Sequence, residues 1–232
     1  MKKRIFLSFS FCALLLAGCT TNQTLSQISE TKPSAAQVQT QPTLPALPGV
    51  PAQSLADGDY TLSVDKSTFF WHGEKIVGAE ENGTITPLSG NMTVENGSIV
   101  SGNFEMDMNT IASVNKEGKK NMGLEKHLKS ADFFDAVTFP KSSFMVTKME
   151  NIGNGLFRIS GNLTIKDKTN PVTIASVQMN NDNGVLYTQG KFSVDRTLWD
   201  VRYGSGKFFQ GLGDKVIKDN MDFAFQFSFE KK

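Results

Sequence analysis

The stretch Met221–Lys232 reads MDFAFQFSFEKK, with Phe at 223, 225, 227 and 229 and Ala224, Gln226 and Ser228 between them. Strict alternation over eight residues is the period of a β-strand with one face buried. Four Phe on one face is a large apolar surface. It can face a packed core, lipid outside the molecule, or a ligand inside it.

The rest of the chain after residue 57 supports the strand reading. Fifteen of the 18 Phe lie there, against nine Leu, a balance that favours β structure. Asn-Gly occurs at 82–83, 96–97, 154–155 and 183–184. This dipeptide suits two-residue type I′ hairpin turns, in which both residues need positive φ. The last three are flanked on both sides by β-like runs, which predicts consecutive hairpins in an antiparallel meander. Phe104, Met106 and Met108 share one face, as do Phe157, Ile159, Leu163 and Ile165, and Leu186, Phe192 and Val194. In the run Val172–Met179 the apolar parity shifts, which predicts a bulge near Ala175 or Ser176.

One segment, Lys120–Pro140, has helical spacing, with Leu124 and Leu128 four apart and a Glu125/Lys129 pair at i,i+4. Eight or nine strands with one short helix predict an all-β fold. A closed antiparallel barrel fits, with the helix crossing one end of the sheet, because closure removes exposed edges. Such a barrel can be filled by side chains or hold one small ligand, and periodicity does not choose.

The N-terminal half-sentence of the chain is different material. Lys2, Lys3 and Arg4 precede an apolar run from Ile5 to Leu16, too short to span a bilayer. Leu16-Ala17-Gly18-Cys19 follows and resembles the lipobox of bacterial lipoproteins. By that resemblance residues 1–18 are a signal peptide and Cys19 becomes an acylated N-terminus, a membrane anchor of two or three chains. Cys12 would leave with the leader, so neither a disulfide nor a thiol catalyst would remain. Residues 19–56 contain no aromatic residue and five of the eight Pro, and read as a disordered tether. The folded domain is expected over 57–232. Thr20 and Thr21 follow Cys19 without an Asp, and by analogy with proteobacterial sorting this favours the outer membrane, facing the periplasm.

A net charge of +1 argues against a nucleic-acid partner. His72 and His127 are 55 residues apart, and no His, Cys or carboxylate cluster has metal-ligand spacing, so neither a metal nor an enzyme activity is expected. His72 reads as a strand-end polar residue and His127 as a helix-to-barrel hydrogen bonder. Gly204, Gly206 and Lys207 do not make a phosphate loop, because Phe208 stands where Ser or Thr should follow Lys. Asp195, Arg196, Asp200 and Arg202 read either as a surface ion-pair ladder or as the polar rim of a cavity mouth.

Three blocks, His127–Phe144, Gly161–Ile174 and Gly190–Val216, closely resemble the YceI-like family of periplasmic proteins, and the third resembles its Bacteroidetes branch. The resemblance covers about residues 58 to 230. It implies an extended, lipocalin-like, eight-stranded antiparallel β-barrel capped by a helical segment. It also implies a tunnel for a polyisoprenoid of quinone or polyprenyl type, with no other cofactor and no catalytic residues. Glu81 stands where many relatives have His, and Lys166–Pro171 replaces a Gly-containing segment; both bear on head-group specificity. Periodicity and resemblance together nominate Phe104, Met106, Phe157, Ile159, Leu163, Phe192, Phe225 and Phe227 as the apolar lining. Of the terminal Phe, the middle pair is expected on the ligand. The expected function is a lipid-anchored isoprenoid carrier or store, compatible with a homodimer. The alternatives are an envelope structural or stress lipoprotein with a filled barrel, and an integral outer-membrane barrel.

Overall fold

The computed structural model describes residues 44–52, 54–114 and 119–232. The expected leader, Cys19 and the tether up to residue 43 lie outside them. The strands are β1 (Val50–Pro51), β2 (Gly58–Leu62), β3 (Thr68–Glu74), β4 (Glu80–Glu95), β5 (Ser98–Val114), β6 (Lys141–Gly153), β7 (Leu156–Ile165), β8 (Lys168–Asp182), β9 (Val185–Asp195) and β10 (Asn220–Lys231). Helix α1 (Met122–Lys129) interrupts them between β5 and β6.

Strands β4 to β10 pair consecutively and antiparallel. Closure comes from β2 and β3, each of which lies between β10 and β4. A 3-10 turn at Val64–Lys66 divides them, so together they make one stave. The result is a closed, antiparallel eight-stave barrel. Three Asn-Gly turns behave as expected: Asn96/Gly97, Asn154/Gly155 and Asn183/Gly184 all have both φ values positive. The bulge is also in place, since Phe157 pairs with Val177 and Ile159 with Ile174, leaving Ala175 and Ser176 opposite Arg158 alone.

Asn82-Gly83 makes no turn and lies within β4. Gly83 is needed there for another reason. The Trp71 indole crosses it to donate to the Ala112 carbonyl at 3.1 Å, and a Cβ would fall 1.8 Å from that oxygen.

The connections segregate. The three Asn-Gly turns lie at one end of the barrel, with the start of β2 and the end of β10. The other end carries the β3–β4 and β7–β8 links, α1, and the long β9–β10 connection, 196–219.

Order also reaches further toward the N-terminus than the expected boundary at residue 57. Val50 and Pro51 pair with Asn181 and Asn180 on the part of β8 that outruns β7. Upstream, the Asn180 amide donates to the Pro48 carbonyl at 3.2 Å and the Gln226 amide approaches that of Pro45 at 3.5 Å. Downstream, Ala52 and Leu55 are buried and Asp57 accepts from Gly97 N at the β4–β5 turn. Composition gave no sign of this strap, because backbone groups at a free strand edge and two small apolar side chains hold it.

Candidate functional site

The inward faces of the strands enclose a cavity. The β10 residues Phe223, Phe225, Phe227 and Phe229 all line it, the outer pair as well as the middle pair. Their rings continue into Phe192 of β9, Phe69 of β3 and Phe104 of β5. Phe192 and Phe223 have centroids 5.2 Å apart, Phe69 and Phe223 5.4 Å, and Phe104 and Phe229 5.7 Å. Such offset and edge contacts between rings are favourable beyond the area they bury. The remaining wall includes Met92, Met106, Met108, Met179 and Met221, side chains that adapt their shape readily.

Two glycines make room for these rings. Gly190 and Phe225 are cross-strand partners, as are Gly90 and Phe104. A Cβ on Gly190 would come within 2.8 Å of the Phe225 ring, and one on Gly90 within 3.0 Å of Phe104. Each ring thus packs closely against the backbone of the neighbouring strand.

The cavity is narrow. Its volume is about 120 Å³. Among the described residues its polar side chains are Ser142, Ser143 and Thr188, and none of the described lining residues is ionisable. Among the described residues, no group of three His, Cys, Asp or Glu could hold a metal ion.

Of the eight expected lining residues, Phe104, Met106, Ile159, Leu163, Phe192, Phe225 and Phe227 border the cavity. Phe157 does not. It is fully buried in the surrounding core, beside the bulge and opposite Val177, which does line the cavity. The strap residues Ala52 and Leu55 belong to the same buried core. Sequence reasoning missed Trp71, Ile85, Met92 and Phe144, which sit in strands broken by glycine or polar residues. It also missed Phe134, which reaches the cavity from the turn after α1 and has no strand period.

The cover at the opposite end is built from side-chain clasps. Arg196, 2 % exposed, donates to the carbonyls of Val201 at 2.7 Å, Ile217 at 3.2 Å and Lys218 at 3.2 Å. Arg196 is therefore an internal organiser of the 196–219 connection, while Arg202 and Asp200 form an outer ion pair. The surface-ladder expectation holds for the outer pair alone. Burial lowers the Arg196 pKa, and the carboxylates of Asp219 and Asp195 oppose that shift.

Lys207 bridges Asp195 at 2.6 Å and Asp219 at 3.2 Å. Burial pushes the Asp195 carboxyl up, but hydrogen bonds from Lys207 and Thr197 outweigh it and hold the group below its ordinary value. His127 bonds to Asp132 at 3.3 Å and stands edge-on to Phe133 and Tyr203, so it organises the cover rather than joining α1 to the barrel wall. Glu125, expected to pair with Lys129, accepts the Ser113 N–H at 3.0 Å. His72 is buried within β3 and bonds Asn82 at 2.8 Å.

An apolar lumen, a polar outer face and a capped end match one family. A family model described as the YceI-like domain covers residues 60–229. The chain belongs to the YceI-like family. Among curated relatives, a UPF0312 protein of Shewanella denitrificans is 30% identical over 92 residues, 40% of this chain and 46% of that protein. A UPF0312 protein of Vibrio vulnificus is 33% identical over 84 residues, 33% of this chain and 44% of that protein. These alignments span less than half of those relatives.

Solved structures extend the likeness at the level of fold. BcnA of Burkholderia cenocepacia superposes with a TM-score of 0.58 at 18% identity, covering 72% of this chain and 98% of that one. A polyisoprenoid-binding domain from Saccharophagus degradans superposes with a TM-score of 0.57 at 14% identity, covering 75% and 98%. This YceI-like barrel keeps polar residues outside: Gln178, Gln189 and Gln226 form an outward row across β8, β9 and β10. A barrel facing lipid through its outer wall would show the reverse.

Proposed function

We propose that this YceI-like chain is a non-enzymatic binding protein that carries or stores a polyisoprenoid, or a similar long apolar lipid, in its barrel. The observation that supports this most is the lining itself: mainly Phe, Met and aliphatic side chains, with no ionisable group among the described residues. A hydrocarbon chain offers no hydrogen bonds to read, so affinity must come from apolar burial, about 0.8 kcal/mol per methylene. The Saccharophagus relative is described as polyisoprenoid-binding, which agrees. The present lumen, about 120 Å³, is small for a polyisoprenoid. A long chain is accommodated by rotation of Phe and Met side chains. Acylated Cys19 holds the protein on the outer membrane, facing the periplasm.

Protein isolated gently from its native envelope is extracted with solvent and the extract analysed by mass spectrometry. A polyprenyl or quinone species in near-equal amount to the protein is expected. Protein that is repeatedly empty and takes up no added polyprenyl probe overturns the proposal. It would favour a filled structural barrel, the reading that the small lumen also supports. Incorporation of labelled palmitate, lost in Cys19→Ser, tests the anchor separately.

A further inference from the structure

Fourteen large apolar residues are exposed among the described residues, and eight of them, Ile76, Val77, Met122, Val137, Leu198, Tyr203, Phe208 and Phe209, lie on the connections at the capped end. All the exposed aromatic residues of that set are there. Phe208 and Phe209 are 45 % and 47 % exposed, and Val137 is 88 % exposed. Contacts knit these connections together. Ile76 N donates to the Val216 carbonyl, Ile217 N to the Gly204 carbonyl, and Tyr203 packs on His127 of α1. The Arg202 guanidinium lies 4.7 Å above the Phe208 ring, and Lys75, Lys126 and Lys215 are exposed around the patch.

We infer that this capped end is a docking face for a lipid bilayer surface, with Phe208 and Phe209 as its inserting residues. Exposed aromatic side chains among lysines, with Asp132 and Asp214 interspersed, match the amphipathic boundary of a membrane. The opposite end is unsuited to exchange, because its strands are joined by two-residue turns and the strap runs beneath them. At the capped end only loops must move to open the lumen. The path of the chain permits the orientation. The described chain begins at Leu44, beside the outer face of β10, and 24 residues separate it from Cys19. Such a segment reaches up to about 80 Å, and β10 continues only about 20 Å beyond Gln226 to its capped end. The role in lipid exchange rests on the carrier reading; the docking does not.

The test uses full-length protein with vesicles of phosphatidylcholine brominated on its acyl chains, which quench nearby Trp. Phe209→Trp at the capped end is compared with Ile152→Trp, an exposed apolar site near the Asn-Gly end. Each is corrected for the two native Trp. Phe209→Trp is expected to shift to shorter wavelength on adding vesicles and to lose most of its added emission, while Ile152→Trp does neither. Equal quenching of both, or of neither, overturns the inference. So does a blue shift of Phe209→Trp without vesicles that grows with protein concentration, which would assign the patch to a second copy of the chain. Bound lipid with no quenching would sink the docking and spare the carrier reading; quenching with an empty lumen would do the opposite.

Discussion

Phe225 lies over its cross-strand partner Gly190 so closely that a single methyl group on that glycine would meet the ring at 2.8 Å. The glycine sets how far the ring can retreat from the lumen. Gly190→Ala is expected to push Phe225 inward, costing about 1–3 kcal/mol of stability as overpacking does. Uptake of a polyprenyl probe should fall by more than the stability loss explains, read by titration at a temperature where the variant stays folded.

Phe157 and Phe227 separate packing from binding. Phe157→Ala opens a hole in the fully packed core and should cost about 3–5 kcal/mol in chemical denaturation, with the lipid profile unchanged. Phe227 already borders unfilled space. Phe227→Ala should cost less, and should shift bound lipids toward longer or bulkier species by mass spectrometry.

The buried Arg196 side chain holds three backbone carbonyls, that of Val201 fully buried and those of Ile217 and Lys218 partly so. Arg196→Met leaves them without donors, which is expected to cost about 3 kcal/mol or more. Hydrogen exchange should rise across 196–219 while β6 and β7 stay protected.

The Lys207 clasp makes the cover sensitive to acid. The Asp195 pKa is lowered in the folded protein, so its contribution is present above the ordinary Asp value, about 3.9, and is lost as pH falls below it. The Lys207 pKa is raised by its bonds to Asp195 and Asp219, so its contribution is full below the ordinary Lys value, about 10.4, and is lost above it. Exchange in the cover, corrected for intrinsic rates, should be slowest between these limits and rise at low pH. Lys207→Met should flatten the profile.

Gly155 has φ of +71°, and a Cβ there would stand 2.7 Å from Cβ of Pro51. Gly155→Ala should cost about 1 kcal/mol or more for the backbone alone. It should also lift the strap, seen as faster limited proteolysis between residues 44 and 56.

The parts of this molecule that repeat were legible from sequence. Period two placed Phe104, Met106, Phe192 and the β10 Phe on the inner wall, and Asn-Gly placed three turns. What escaped depends on partners far away in the chain. Gly83 resembles a turn glycine until Trp71 is seen crossing it. Val50 and Pro51 carry no strand pattern, and pair only because β8 outruns β7. Phe157 keeps the inward parity of Ile159, but parity says which way a residue points and not how deep it sits. Arg196 is one of four alternating charges, and only the fold selects it for burial.

The divided stave has a consequence for when the barrel can form. Its two halves, β2 and β3, lie near the start of the folded chain, and their partner β10 is its last strand. Ser63 N bonds to the Ser228 carbonyl at 2.8 Å and Lys232 N to that of Asp59 at 2.9 Å. The seam therefore joins the first strands of the barrel to the last. Hairpins from β4 to β9 can form on their own, but the cylinder stays open, with its greasy lining accessible, until β10 docks against β2 and β3.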